Sequence, residues 1–256
     1  MNYKIYNYKI LKYLVVSVIL VLIAGCVGSE QKLEKPTQGP IEQPTIAQPK
    51  EEVIEVIKGE IKTIGDGYAY SWVKIKDDKP SAIGVTFDEG ILKNLSQYDT
   101  EYVLSLPDLR VPDGLADIQF KHIGINWNPK GHIPPGIYSV PHFDFHFYLV
   151  DQQYRNNITD VKLMEKNVSS EYVPSGYVST PGGVPKMGAH WIDPTSPEFN
   201  NQTFTKTFIY GFYDGKMIFY ETKYPGPGYY PIKYSIKSDE KTKQYTVYLE
   251  EMVSRD

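Results

Sequence analysis

Residues 142–150 read His-Phe-Asp-Phe-His-Phe-Tyr-Leu-Val, and no other stretch so narrows what the chain can become. Strand side chains alternate with a period of two. Phe143, Phe145, Phe147 and Leu149 therefore share one face, and His142, Asp144, His146 and Tyr148 share the other. The aromatic face has to be core, so the question is what the polar face meets. Strand rise of about 3.3 Å per residue separates residues two apart by about 6.6 Å and residues four apart by about 13 Å. His142 with Asp144, or Asp144 with His146, can share one ion. His142 and His146 can do so only on a bent or bulged strand. The economical arrangements are one histidine plus Asp144, or two histidines with Asp144 orienting one of them.

The rest of the chain from Val53 onward is built in the same idiom. Short alternating apolar runs are separated by Gly, Pro, Asn and Asp, which predicts a mainly β fold: a single antiparallel β-sandwich or barrel-like domain spanning 53–256. Only 88–95, with Asp88 as its cap, and 157–166 read as short helices. Asp214-Gly215 is the clearest hairpin signal, because both turn positions tolerate positive φ. Pairing outward from it sets Tyr213 opposite Lys216, Phe212 opposite Met217, Tyr210 opposite Phe219 and Phe208 opposite Glu221. Glu221 then lies on an aromatic face, where a carboxylate needs a partner or an exit to water.

All five histidines fall between His122 and His190. The candidate metal ligands are His142, Asp144, His146, His190 and Glu221. His132 stands beside the Pro134-Pro135-Gly136 turn, which can fold it back over the strand, while His122 belongs to a neighbouring strand and is not expected to be a ligand. Mixed nitrogen and oxygen donors suit a single divalent transition metal, zinc first, with manganese, iron or copper as alternatives. An open coordination position would activate water or a small substrate. No Gly-x-Ser-x-Gly motif offers a serine nucleophile. A different expectation is a non-enzymatic envelope domain with structural histidines. The chain has 22 tyrosines, all but Tyr3, Tyr6, Tyr8 and Tyr13 in this domain, and these with its sheet edges would then serve assembly, as a homo-oligomer, or capture of a small molecule or glycan around Trp72.

The N-terminus supplies an address. Lys4, Lys9 and Lys12 precede an uncharged apolar run from Tyr13 to Val27, the pattern of an export signal, and the run is short for a bilayer span of about 20 residues. It ends Ile23-Ala24-Gly25-Cys26, which resembles a lipobox. The expectation is a lipoprotein signal peptide at 1–25, lipidation of Cys26, and a lipid-anchored protein on the extracytoplasmic face of the cell membrane. Residues 26–52 carry four spaced prolines and no aromatic residue, and read as a disordered tether. Such a tether reaches up to roughly 75 Å from the lipid at about 3.1 Å per residue. Cys26 is the single cysteine, so the domain holds neither a disulfide nor a thiolate ligand. Removing the signal takes three of the 27 basic residues and none of the 31 acidic ones, and the resulting net charge of −7 excludes a nucleic-acid partner.

Residues 127–148, with Gly131-His132-Ile133-Pro134-Pro135-Gly136-Ile137-Tyr138 leading into Pro141-His142-Phe143-Asp144-Phe145-His146, resemble the signature of a family of uncharacterised exported bacterial and archaeal proteins, a domain of unknown function. Two further blocks fit that resemblance, Val184–Pro194 with its Met187-Gly188-Ala189-His190-Trp191, and Phe204–Glu221. Thr222-Lys223 stands where the family has Pro-Met. The resemblance implies an independent exported domain and supplies no activity.

Overall fold

The computed structural model describes residues 53–109, 118–217 and 228–255. The signal, Cys26, the tether and Glu221 lie outside the described residues, as do the hairpin pairings to Phe219 and Glu221.

Five strands form the largest sheet. β1 (Ile54–Ile64), β2 (Gly67–Lys76) and β3 (Lys79–Asp88) run as an antiparallel meander. The chain later returns to lay β13 (Gln244–Glu250) against β3, with β12 (Lys233–Asp239) outside it. The second sheet has three antiparallel strands, β4 (Thr100–Ser105), β5 (His122–Asn128) and β6 (His142–Tyr148), with β5 in the middle. Their inner faces meet. Val73, Ile83, Val85, Phe87 and Leu249 from one sheet and Leu104, Ile123, Ile125 and Phe147 from the other form the main core. Phe87 stacks on Phe145 at 5.6 Å between ring centres. The aromatic side of β6 is thus the sandwich interior, as its alternation requires, and each such ring contributes about 2–3 kcal/mol by leaving water.

The other side of β6 is covered as well. Between β6 and β9 (Tyr210–Tyr213) the chain forms α1 (Gln152–Asn156), α2 (Val161–Met164), β7 (Val178–Ser179) and β8 (Ala189–Ile192). A third sheet runs β7-β8-β9-β10, where β10 is Lys216–Met217. Tyr148, on the polar side of β6, packs with Ile158, Met164 and Tyr213. The polar face of the histidine strand therefore looks into a layer of protein rather than into open water. A short pair, β11 (Gly228–Tyr230) with β14 (Val253–Arg255), completes the described strands.

The two helical expectations are met differently. Residues 88–95 become one 3-10 turn, Glu89–Leu92, whose cap is Asp88 accepting from the Gly90 amide. Within 157–166 only α2 is helical, starting after Asp160 caps it through the Lys162 amide, and α1 precedes the stretch, ending at Asn156. Asp151 and Asp160 are both N-caps, so α1 and α2 form as separate short helices, one before the expected stretch and one inside it. At the hairpin, Tyr213 pairs with Lys216 and Phe212 with Met217 across Asp214 (φ 54) and Gly215 (φ 69). Among the described residues no helix is long and apolar enough to cross a membrane.

Candidate metal centre

The site is assembled on one rung of the second sheet and one loop. In the β5–β6 register Asn128 lies opposite His142, Asn126 opposite Asp144, Gly124 opposite His146 and His122 opposite Tyr148, all on the polar face. From Asn128 the chain turns sharply: Gly131 (φ 66) donates to the Asn128 carbonyl, and His132 donates to the Tyr138 carbonyl at 3.0 Å. A Cβ at position 131 would sit 2.0 Å from that same Tyr138 carbonyl oxygen, so glycine is required there for two independent reasons. This loop carries His132 back over the start of β6.

His132, His142 and Asp144 converge, with one donor atom from each lying within 4.8 Å of the others. The two Nε2 atoms are 3.1 Å apart. Asp144 places one carboxylate oxygen 3.4 Å from His132 Nε2 and the other 3.4 Å from His142 Nε2. Each ring is oriented from behind, with His132 Nδ1 2.7 Å from the Ile133 carbonyl oxygen and His142 Nδ1 2.7 Å from the Val140 carbonyl oxygen. A carbonyl only accepts, so both Nδ1 atoms carry the hydrogen and both Nε2 lone pairs point into the cluster. Asn128 Nδ2 donates to Asp144 at 2.7 Å, fixing the carboxylate from the neighbouring strand. Tyr138 and Phe204 wall the cluster, 5.4 Å from His132 and 5.2 Å from His142 respectively. Side-chain exposure rises from 9% at His142 to 38% at His132, so the centre opens outward on the His132 side.

Electrostatics follow from this geometry. Hydrogen bonding to Asp144 is the largest influence on His132 and raises its pKa, with burial opposing. Burial is the largest single influence on His142 and would lower it, but Asp144 and the Val140 carbonyl together carry the net shift upward. Burial likewise works to raise Asp144, yet the bonds that His132 and His142 donate from Nε2 once protonated, with the charge of nearby His146, hold it well below the usual carboxylate range. The carboxylate is ionised at every ordinary pH.

The residues singled out in the sequence divide as follows. His142 and Asp144, neighbours on one strand face, belong to the cluster, and His132 from the preceding loop is its third member. His146 and His190 are not members of it. They lie deeper: burial is the first cause lowering both pKa values, His190 to about 4, and each feels the charge of Asp144 and His132. His190 also feels His146, which puts β8 against the polar face of β6. Glu221 lies outside the described residues. His122 is a core residue, 2% exposed and stacked on Tyr148 at 4.6 Å. Sequence spacing could not rank His132 because its approach depends on a loop, although the Gly131-His132 pair before a Pro-Pro-Gly turn was the available signal. Asn128, the partner of Asp144, carried no signal until the register was known. Comparison of the chain with protein families, with characterised proteins and with solved structures found no match.

Proposed function

We propose that this is a metal-binding protein of the cell envelope, held to the extracytoplasmic face of the membrane by lipid on Cys26, with one divalent transition metal bound by His132, His142 and Asp144. The observation that carries the metal reading is the pair of facing imidazoles. With both Nδ1 hydrogens committed to carbonyls, two Nε2 lone pairs stand 3.1 Å apart beside an ionised carboxylate. That arrangement is repulsive until a positive charge lies between the rings, and only a proton or a cation can supply it. Two nitrogens on one ion with bonds of about 2.0–2.1 Å are separated by about 2.9 Å in octahedral and about 3.4 Å in tetrahedral geometry, and the observed spacing falls between.

Two neutral imidazoles and a carboxylate make a borderline donor set that suits zinc first, with manganese, iron and copper as competitors. Three protein ligands leave at least one coordination position, the condition under which an ion activates water or holds a small substrate. The lipobox-like Cys26 and the resemblance to exported proteins support the envelope address. Inductively coupled plasma mass spectrometry of protein washed free of loose ions tests the centre. About one metal per chain is expected in the wild type and almost none in His132→Ala or His142→Ala. A metal-free wild type that takes up no added zinc refutes the reading and leaves a shared proton between the rings.

A further inference from the structure

A cleft of about 540 Å³ adjoins the candidate centre, between the loop that presents His132 and the segment 198–204. That volume lies within the range of small-molecule sites. Its inner wall is Phe204, whose ring meets both His142 (5.2 Å) and Tyr138 (4.9 Å) edge-on. Ile137, Val140 and Phe199 give the cleft further apolar surface, and Asn201, Gln202 and Thr203 form an exposed polar rim. Among the described residues the one ionisable group in the lining is Glu198. It is only 6% exposed, and Tyr138 Oη lies 3.4 Å from one of its oxygens, Oε1.

The lining names a ligand chemistry by what it contains and what it lacks. Among the described residues no lysine, arginine or histidine lines the cleft, so a phosphate or carboxylate entering it would meet the Glu198 carboxylate with no counter-charge from that lining. The polar groups are a carboxylate, two carboxamides and a hydroxyl, which offer acceptors and donors side by side. Hydroxyl-rich molecules need both, because each hydroxyl donates once and accepts as well. An aromatic and aliphatic wall suits the C–H faces of a sugar ring. We infer that this cleft binds a neutral saccharide, with Glu198 accepting from ring hydroxyls and Phe204 seating the ring beside the metal centre. The inference rests on the metal-centre reading only for what the ligand is placed next to; the cleft's own selectivity does not need the ion.

The test uses the full chain and a panel of neutral disaccharides: maltose, cellobiose and N,N′-diacetylchitobiose. Amide chemical-shift mapping is expected to move resonances of 135–140 and 198–204 for at least one of them. Glu198→Gln, which keeps the side chain's size, is expected to weaken that ligand about tenfold through loss of charge-assisted bonds. Glucuronate and glucose 6-phosphate should bind at least tenfold more weakly than the best neutral sugar. No shifts up to 20 mM with any panel member, shifts confined to other surfaces, or equal binding of the anionic sugars overturns the inference. Metal content is measured on the same samples: a loaded protein that ignores the sugars loses only the cleft reading, and a sugar-binding protein without metal loses only the centre.

Discussion

His122 offers a sharp test of which histidines are structural, and its magnitude can be worked from its surroundings. The ring is 2% exposed, stacked face-on against Tyr148, and among the described residues neither ring nitrogen meets a hydrogen-bonding partner in good geometry. Burial lowers its pKa to about 4, with Asp151 and the Val150 carbonyl offsetting only part of the effect. In the unfolded chain the same ring titrates near 6.5. As pH falls below 6.5 the unfolded state takes up a proton that the folded state refuses, so stability declines until the folded ring also titrates near 4. At about 1.36 kcal/mol per pH unit, the loss from this one group is roughly 2 kcal/mol at pH 5 and roughly 3 kcal/mol at pH 4. Urea denaturation of wild type and His122→Phe at pH 7.5 and pH 5 isolates it, since phenylalanine keeps the stacked ring and cannot titrate. The variant should lose about 2 kcal/mol less than wild type between the two conditions, the contribution of His190 being common to both. Parallel losses in the two proteins, or a His122 ring titrating near 6.5 by NMR, would falsify the assignment of His122 as a neutral core residue.

The centre and the sheet make further predictions. Asn128→Ala removes the 2.7 Å bond that orients Asp144 and should weaken zinc binding by about 10- to 100-fold while leaving the secondary structure unchanged, as competition with a chromophoric chelator will read. Protons compete for the same Nε2 lone pairs, and Asp144 raises the pKa of both His132 and His142. Zinc affinity should therefore already fall as pH drops through the ordinary histidine range; a flat profile from pH 7.5 to 5.5 would exclude these histidines as ligands. On the outer face of the large sheet, a Cβ at Gly84 would lie 2.4 Å from the Trp72 ring and 2.6 Å from Tyr248 Cβ, so Gly84→Ala should cost about 1–3 kcal/mol in thermal or urea denaturation.

What could be read from the sequence follows the range of the forces involved. Strand alternation is a local property, and it located the aromatic face of β6 and the polar face that carries His142 and Asp144. The bulge in β1 between Lys58 and Ile61 falls at Gly59, the one glycine of that strand. The aromatics at Tyr70 and Trp72 were legible as a cluster but not as a covered one. In the fold they are 9% and 8% exposed, with the Lys58 ammonium 4.6 Å above the Tyr70 ring and Trp72 Nε1 bonded to Thr86. A sugar platform needs open ring faces, and the protein's own lysine and neighbouring rings cover Tyr70 and Trp72, while Tyr68, the first aromatic of the same cluster, is 39% exposed.

The His132–His142–Asp144 cluster failed to be fully legible for a different reason. Strand geometry ruled that His142 and His146 do not share an ion on a straight strand, and β6 is paired without a bulge along its length. That reasoning leaves the second nitrogen to be supplied from elsewhere, and nothing in a period of two says from where. The choice falls to Gly131, whose positive φ and crowded α-carbon let the loop double back until His132 meets the end of β6. The same turn brings Tyr138 and Val140 to the edge of the cleft, so one tight loop sets both the third member of the cluster and the wall beside it. A bulky residue at 131 should therefore be far more damaging to metal binding than to folding: Gly131→Val places a branched side chain against the Tyr138 carbonyl and at a positive φ, displacing His132 while the two packed sheets remain intact. Loss of zinc with native-like circular dichroism is the expected result. Retained stoichiometric zinc in that variant would mean that the loop does not deliver the ligand and that the second nitrogen comes from His146 or His190 instead.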